Sequence, residues 1–148
     1  MPVITLHHEI PHTTEETYSF FSDLHKFVEV HPVIYRCDKL SGNEYELFEH
    51  FSMGIFKIPF SYKVILEKVT PHQQVIMFSE IRKGVQLRLT FDFAPDGTST
   101  KITETVHFEG LGPGNVLFLK FLAIQHRRLV RNIAALGKEC PTDRDSTA

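Results

Sequence analysis

The stretch TKITETVHFEGLGPGNVLFLKFL, from Thr100 to Leu122, decides how this chain folds. Its first part alternates, with Ile102, Val106 and Phe108 on one side, which is the period of a strand with one buried face. Its last part belongs to VLFLKFLAI, residues 116–124, apolar almost all round. Between them stand Gly110, Gly112 and Gly114. Glycines at alternate positions before an apolar run raise the question of a phosphate-binding loop, which needs converging backbone amides, usually after a parallel strand, and often a following lysine and hydroxyl. GLGPGN offers none of these: Pro113 removes a donor, no GK[ST] follows, and no later strand exists to accept a crossover. The glycines read instead as a hinge that lets the chain reverse sharply and lay a helix across a sheet.

Working outward, the alternating period holds over about eighty residues from Val33. It predicts strands at Val33–Leu40, Glu44–Met53, Phe60–Val69, Val75–Arg82, Val85–Phe93 and Lys101–Phe108. The connectors are short and rich in turn formers, notably SGN at 41–43, Lys83-Gly84 and PDGTS at 95–99, so consecutive strands run antiparallel. One face of this sheet is dry, carrying for example Tyr45, Leu47, Phe51 and Met53, then Phe60, Tyr62, Val64 and Leu66.

Ahead of these strands, VITLHHEI at 3–10 reads as one more, with His8 on its apolar side. Thr13 and Glu16 form a capping box for a short helix that buries Tyr18, Phe21 and Phe20. A second short helix, Leu24–Val30, stops at His31 because Pro32 disfavours helical geometry in the residue before it. After the hinge, Asn115 is expected to cap a long helix whose inward stripe is Phe118, Leu122, Gln125, Leu129, Ile133 and Leu136, ended by Gly137. The expected domain is 1–138, followed by a polar, unstructured tail at 139–148.

Composition narrows the function classes. With 42% hydrophobic residues and a net charge of −2, the chain is a globular protein without the basic excess of a nucleic-acid binder. Thirteen phenylalanines against four tyrosines and no tryptophan predict an aromatic interior poor in polar handles. Cys37 and Cys140 suggest neither a disulfide framework nor a CxxC motif, which fits a reducing compartment. MPVITLHHEIP lacks the pattern of a secretory signal, and the apolar run at 116–124 contains Lys120 and is too short to span a bilayer. The expectation is a cytoplasmic protein without stable membrane insertion.

The order of strand, two short helices, six strands, hinge and long helix resembles the START-like, helix-grip superfamily, which includes polyketide cyclase/dehydrase-type proteins (SRPBCC). The likeness spans residues 2–138 and rests on VITLHHEIPHTTEETYSFFSDL, His31-Pro32, VTPHQQV, TKITETVHFEGLGPGN and RRLVRNIAAL. It implies an α+β fold in which a curved seven-stranded antiparallel sheet grips the C-terminal helix. It also implies a cavity between them for a small hydrophobic ligand such as a lipid, sterol or polyketide. The superfamily has no universal catalytic residues and implies no cofactor, so no enzymatic role transfers by position.

On this basis the expected cavity lining is Leu47, Phe51, Tyr62, Val64, Met77, Ser79, Leu87, Leu89, Phe91, Glu104, Val106, Phe108, Phe118 and Leu122, with Tyr45 as a further polar contact. Access is expected near the hinge and the GIFKIP segment at 54–59. Two carboxylates break the dry face, Glu49 and Glu104; a lone carboxylate there must be paired, protonated or beside a ligand. Glu104 is read either as a polar anchor or general acid/base for a ligand, or as the partner of an Arg or Tyr, or as turned to solvent by a local register shift. Of nine histidines only His8 and His126 look inward, His50 and His107 fall on the outer face, and none makes a metal-ligand pattern. Arg127, Arg128 and Arg131 form a basic cluster that reads as a solvated face or as a contact for an anionic surface. Three functions follow: binding or transport of a hydrophobic ligand by a monomer or homodimer; a cyclase/dehydrase using Glu104 in the same cavity; or a packing module that dimerises through Ile55, Phe56, Phe118 and Phe121.

Overall fold

The computed structural model describes residues 3–53 and 55–147 of 148, with side chains at 3–50, 55 and 57–136. The elements are β1 (Val3–Ile10), α1 (Thr14–Ser22), α2 (Leu24–Val30), β2 (Ile34–Ser41), β3 (Glu44–Met53), β4 (Phe56–Thr70), β5 (Gln74–Arg82), β6 (Val85–Asp96), β7 (Ser99–Glu109) and α3 (Gly114–Thr147). Helix α3 continues through Gly137, the expected end of the helix, and through the expected unstructured tail as far as Thr147; the side chains of 137–148 and of Phe51 lie outside those described.

All strands form one antiparallel sheet in the order β1-β7-β6-β5-β4-β3-β2. Six of them are a simple meander, and β1 is added at the far side by pairing with β7, with Leu6 opposite Glu104 and His8 opposite Ile102. This is the α+β helix-grip architecture expected from the sequence. Strand β4 starts earlier than the expected Phe60. Its first residues pair with β3 alone, His50 opposite Pro59, while pairing with β5 begins only at Lys63. Pro59 is tolerated because its missing N–H would face no strand on that side.

Local chemistry sets the helix ends. The Glu16 N–H donates to Thr13 Oγ1 at 3.2 Å, and Asp23 Oδ1 accepts from the His25 N–H at 3.0 Å to start α2. His31 takes extended geometry ahead of Pro32, and its Nδ1 accepts from the N–H groups of Val33 and Ile34 at 3.2 and 3.1 Å. Asn115 does not precede α3 as a cap. It lies in the first turn, and its Oδ1 accepts from the Leu111 N–H at 3.0 Å, pinning the hinge to the helix.

The core fills one half of the bowl with aromatic rings. Phe21 lies 4.7 Å from Phe91 and 5.4 Å from Phe93 between ring centres, so α1 is seated on β6. Helix α3 buries Leu119, Leu122, Leu129, Val130 and Ile133 and leaves Val116, Leu117 and Ile124 exposed, more than the expected stripe accounts for. The Asn132 side chain donates to the Val30 carbonyl at 2.7 Å, tying α3 to the end of α2.

The hinge glycines differ in what demands them. Gly110 has φ +115°, and a Cβ there would meet the Gly84 carbonyl oxygen at 2.1 Å and Val85 Cα at 2.7 Å, both backbone. Gly112 has φ +54° with open space around it. Gly112→Ala should therefore cost about 1 kcal/mol, the left-handed penalty alone. Gly110→Ala should cost more than about 3 kcal/mol, because the β5–β6 turn has to move. Urea unfolding of the two variants measures the contrast; equal losses would mean that close approach plays no part.

Candidate functional site

Between α3 and the sheet lies a cavity of about 50 Å³. Sheet residues Leu47, Tyr62, Val64, Met77, Ser79, Leu87 and Leu89 line it, together with Phe118 and Leu122 of α3. These are nine of the positions expected from the sequence. Phe91, Val106 and Phe108 do not reach the wall and are instead buried in the packed core. Tyr45 borders a separate surface groove with Lys39 and Leu66. The sequence reading missed Phe27, His31, Val33, Ile34, Glu49, Phe60, Ile81, Phe121, Gln125 and His126 as wall residues. Several come from α2 and the turn after it, which close the cavity from a side that strand alternation does not describe. Such a volume holds a few waters and is well under the roughly 150 Å³ of a cavity known to bind benzene, so a larger guest requires the wall to yield.

Glu104 is not on the wall, which corrects its reading as a ligand anchor. Its side chain is 1% exposed and sits behind the wall between two histidines. His8 Nε2 lies 3.0 Å from Oε1, and His126 Nδ1 forms a close hydrogen bond with Oε2. The partners are thus neither Arg nor Tyr. Sheet register brings His8 there: Leu6 stands opposite Glu104, and His8, two residues on and on the same face, reaches it diagonally. His126 follows Leu122 by one helical turn on α3. Three residues that looked isolated in the sequence form one cluster.

Burial by itself would push the Glu104 carboxyl up; the adjacent His126 and His8 outweigh it and hold the group down at about 2, against an ordinary 4.5. Glu104 is therefore an anion that only accepts, so both histidines donate to it: His8 through Nε2–H and His126 through Nδ1–H. The His126 ring turns its other nitrogen, Nε2, away from Glu104. That nitrogen has no hydrogen bond among the described residues, and His126 lines the cavity.

Around His126 stand further polar groups. The Tyr62 hydroxyl donates to Glu49 Oε1 at 2.8 Å. Burial raises the Glu49 carboxyl, partly offset by that hydrogen bond and by His126. Burial, then the charge of Glu49, holds the Tyr62 phenol well above its ordinary value. His31, 6.1 Å from His126 between ring centres and edge-on to it, is kept neutral by burial and by His126, against a pull from Glu104. Gln125 Oε1 is buried without a hydrogen-bond partner among the described residues. Burial pushes the Cys37 thiol up to about 11, which leaves little thiolate at neutral pH.

The depressed carboxyl of Glu104 has a direct consequence for stability. Its contribution is full above the ordinary 4.5 and is lost as pH falls toward the folded-state value of about 2. In urea unfolding between about pH 5 and pH 2, this group should remove on the order of 3 kcal/mol from the wild type. Glu104→Gln should be less stable at neutral pH and flatten that acid limb; an unchanged limb would mean that Glu104 is not held as an anion.

No protein-family model and no curated protein sequence matches the chain. Solved structures do. A START superfamily protein from Mycobacterium smegmatis superposes with a TM-score of 0.77 at 14% identity, over 93% of this chain and 98% of that one. A conserved protein from Geobacillus kaustophilus gives 0.74 at 15% identity, over 90% and 93%. The Zhui aromatase/cyclase from Streptomyces sp. R1128 gives 0.69 at 8% identity, over 93% of each. At these identities the likeness is one of architecture. Among the described residues no helix is long and apolar enough to cross a membrane. The bent seven-stranded sheet closed on a long C-terminal helix, with two short helices between its first two strands, is the START-like, helix-grip fold.

Proposed function

We propose that this protein binds a small, largely apolar molecule with one hydrogen-bonding end in the cavity between α3 and the sheet. The observation that carries the reading is the distribution of chemistry on the wall. Leucines, Val64, Met77 and Phe118 make most of it, while Glu49, Tyr62, His31, Gln125 and His126 supply polar groups. Apolar walls supply affinity without direction, and a few polar groups orient the guest. Each 100 Å² of apolar guest surface removed from water contributes about 2.5 kcal/mol before ordering costs.

Access is read at the hinge side of the cavity, where apolar side chains are exposed. Ile55 is 93% exposed at the β3–β4 tip, Leu117 is 74% exposed at the start of α3, and the hinge lies beside Leu117. Movement of the first turns of α3 would widen the wall at Phe118 and Phe121 without disturbing Ile133, whose carbonyl is held by His12 at 2.9 Å. The protein so envisaged is a cytoplasmic carrier, working as a monomer or homodimer. Its architecture is shared with a START superfamily protein and with an aromatase/cyclase, which supports a role built around an internal site.

Titration with the uncharged fluorophore N-phenyl-1-naphthylamine should show saturable binding of one molecule per chain. Val64→Phe, which fills the cavity, should weaken it at least about tenfold while keeping the circular dichroism of the fold. Native mass spectrometry before and after organic extraction should show a co-purifying small molecule lost on extraction. Absence of any saturable binding by the wild type would remove the reading.

A further inference from the structure

The cluster behind the wall does more than binding requires. A buried anion held by two histidines costs desolvation and adds nothing to an apolar pocket. It does fix the tautomer of one imidazole. With Nδ1–H committed to Glu104, His126 carries its lone pair on Nε2, the remaining nitrogen of a ring that lines the cavity. On the sheet side of the same cavity stands Glu49, hydrogen-bonded to Tyr62. A base with an orienting carboxylate behind it and a second, separately held carboxyl group facing it are the parts needed to remove a proton at one point and donate one at another.

We propose that the cavity performs proton transfer on its guest, with His126 Nε2 as general base, Glu104 and His8 as positioning residues behind it, and Glu49 with Tyr62 as the acid on the facing wall. The substrate class is a small, largely apolar carbonyl compound with an acidic neighbouring C–H. This rests on the binding reading above and assigns the chemistry of that same site. The C–H bond breaks, its proton goes to Nε2, and the electron pair moves into the carbonyl, whose oxygen takes a hydrogen bond or a proton from Glu49. In a guest with a C=C bond one carbon beyond the acidic C–H, the enolate is conjugated with that bond; the electron pair returns from oxygen, His126 delivers the proton to the far carbon, Glu49 recovers its own, and the double bond moves into conjugation with the carbonyl with no co-reactant. The groups that face His126 are His8 from β1, Glu104 from β7, Glu49 from β3 with Tyr62 from β4, and His31 from the end of α2. Burial keeps Glu49 more readily protonated than an ordinary carboxyl and keeps His31 from competing for charge.

The test uses 5-nitrobenzisoxazole, an apolar carbon acid. Loss of its C–H proton to a base forms the nitrile as the N–O bond breaks, releasing a coloured phenolate. Wild type should turn it over with saturation, and His126→Ala should lose at least about 100-fold in kcat, partly restored by added imidazole. Glu104→Gln should lower kcat about tenfold or more, leave KM unchanged and displace the inflection of the pH–rate profile; His25→Gln, exposed on α2, should change nothing. Nitrogen-15 NMR of the histidines gives a readout free of any substrate: His126 should be the Nδ1–H tautomer in wild type, and an Nε2–H tautomer would overturn the proposal even where a variant fails to fold. Wild type that binds the naphthylamine yet acts no faster than His126→Ala would overturn the catalytic assignment and leave binding standing. Failure to bind the naphthylamine at all would remove both.

Discussion

The organisation of this protein turns on a single buried anion. Glu104 lies on β7, and its two hydrogen bonds reach β1 on one side and α3 on the other. β1 is the last strand added to the sheet and is far from β7 in sequence, while α3 is the element that covers the bowl. A carboxylate in an apolar interior is stable only when its charge is met by donors of good geometry, so the cluster specifies how these three elements come together more sharply than interchangeable hydrophobic contacts do. An error in the β1–β7 register by one residue would turn His8 to the outside and leave the carboxylate one donor short.

Behind that constraint, the shape of the interior follows from where the large side chains go. The rings of Phe21, Phe27, Phe91 and Phe93 fill the half of the bowl under α1 and α2. Toward the hinge, Phe108 and Phe118 stack at 4.0 Å. Between these aromatic blocks the walls are made by leucines, Val64, Met77 and Ser79, too short to meet across the gap, and a cavity remains. The same geometry separates the two carboxylates of the dry face. Glu104 is enclosed by two histidines and is held down, whereas Glu49 at the cavity wall is raised by burial, which its hydrogen bond from Tyr62 and the nearby His126 offset in part. One sheet thus holds two acids displaced in opposite directions from their ordinary value, which is how a small fold obtains groups with different proton affinities.

Much of the architecture was legible because strand and helix periods are local properties. The alternation of β3, β5, β6 and β7 placed their boundaries within a few residues, and Thr13, Pro32 and the glycine hinge marked where elements begin and stop. The alternation places the start of β4 at Phe60, whereas the strand pairs with β3 from Phe56; Pro59 is acceptable within it because pairing with β5 begins only at Lys63. The cavity wall was legible where it is made of strands. It was not legible at Phe27, His31 and Ile34, because their approach depends on how α2 and the following turn lean on the sheet. Glu104 stood out as a misplaced charge that had to be paired, protonated or beside a ligand, yet its histidine partners were not legible, since they lie 96 residues before it and 22 after it in the chain.

The sequence by itself determined the class of fold, the dry face of the sheet, the hinge and the presence of two carboxylates and two histidines turned inward. Each follows from the period, size and backbone preferences of neighbouring residues. Only the tertiary structure decided that His8, Glu104 and His126 share one hydrogen-bonded cluster, that Glu49 rather than Glu104 faces the cavity, and that Nε2 of His126 is the nitrogen left free. Those outcomes depend on register between distant strands and on the rotation of α3 over them, and distances of that kind are fixed by packing rather than by any local pattern of side chains.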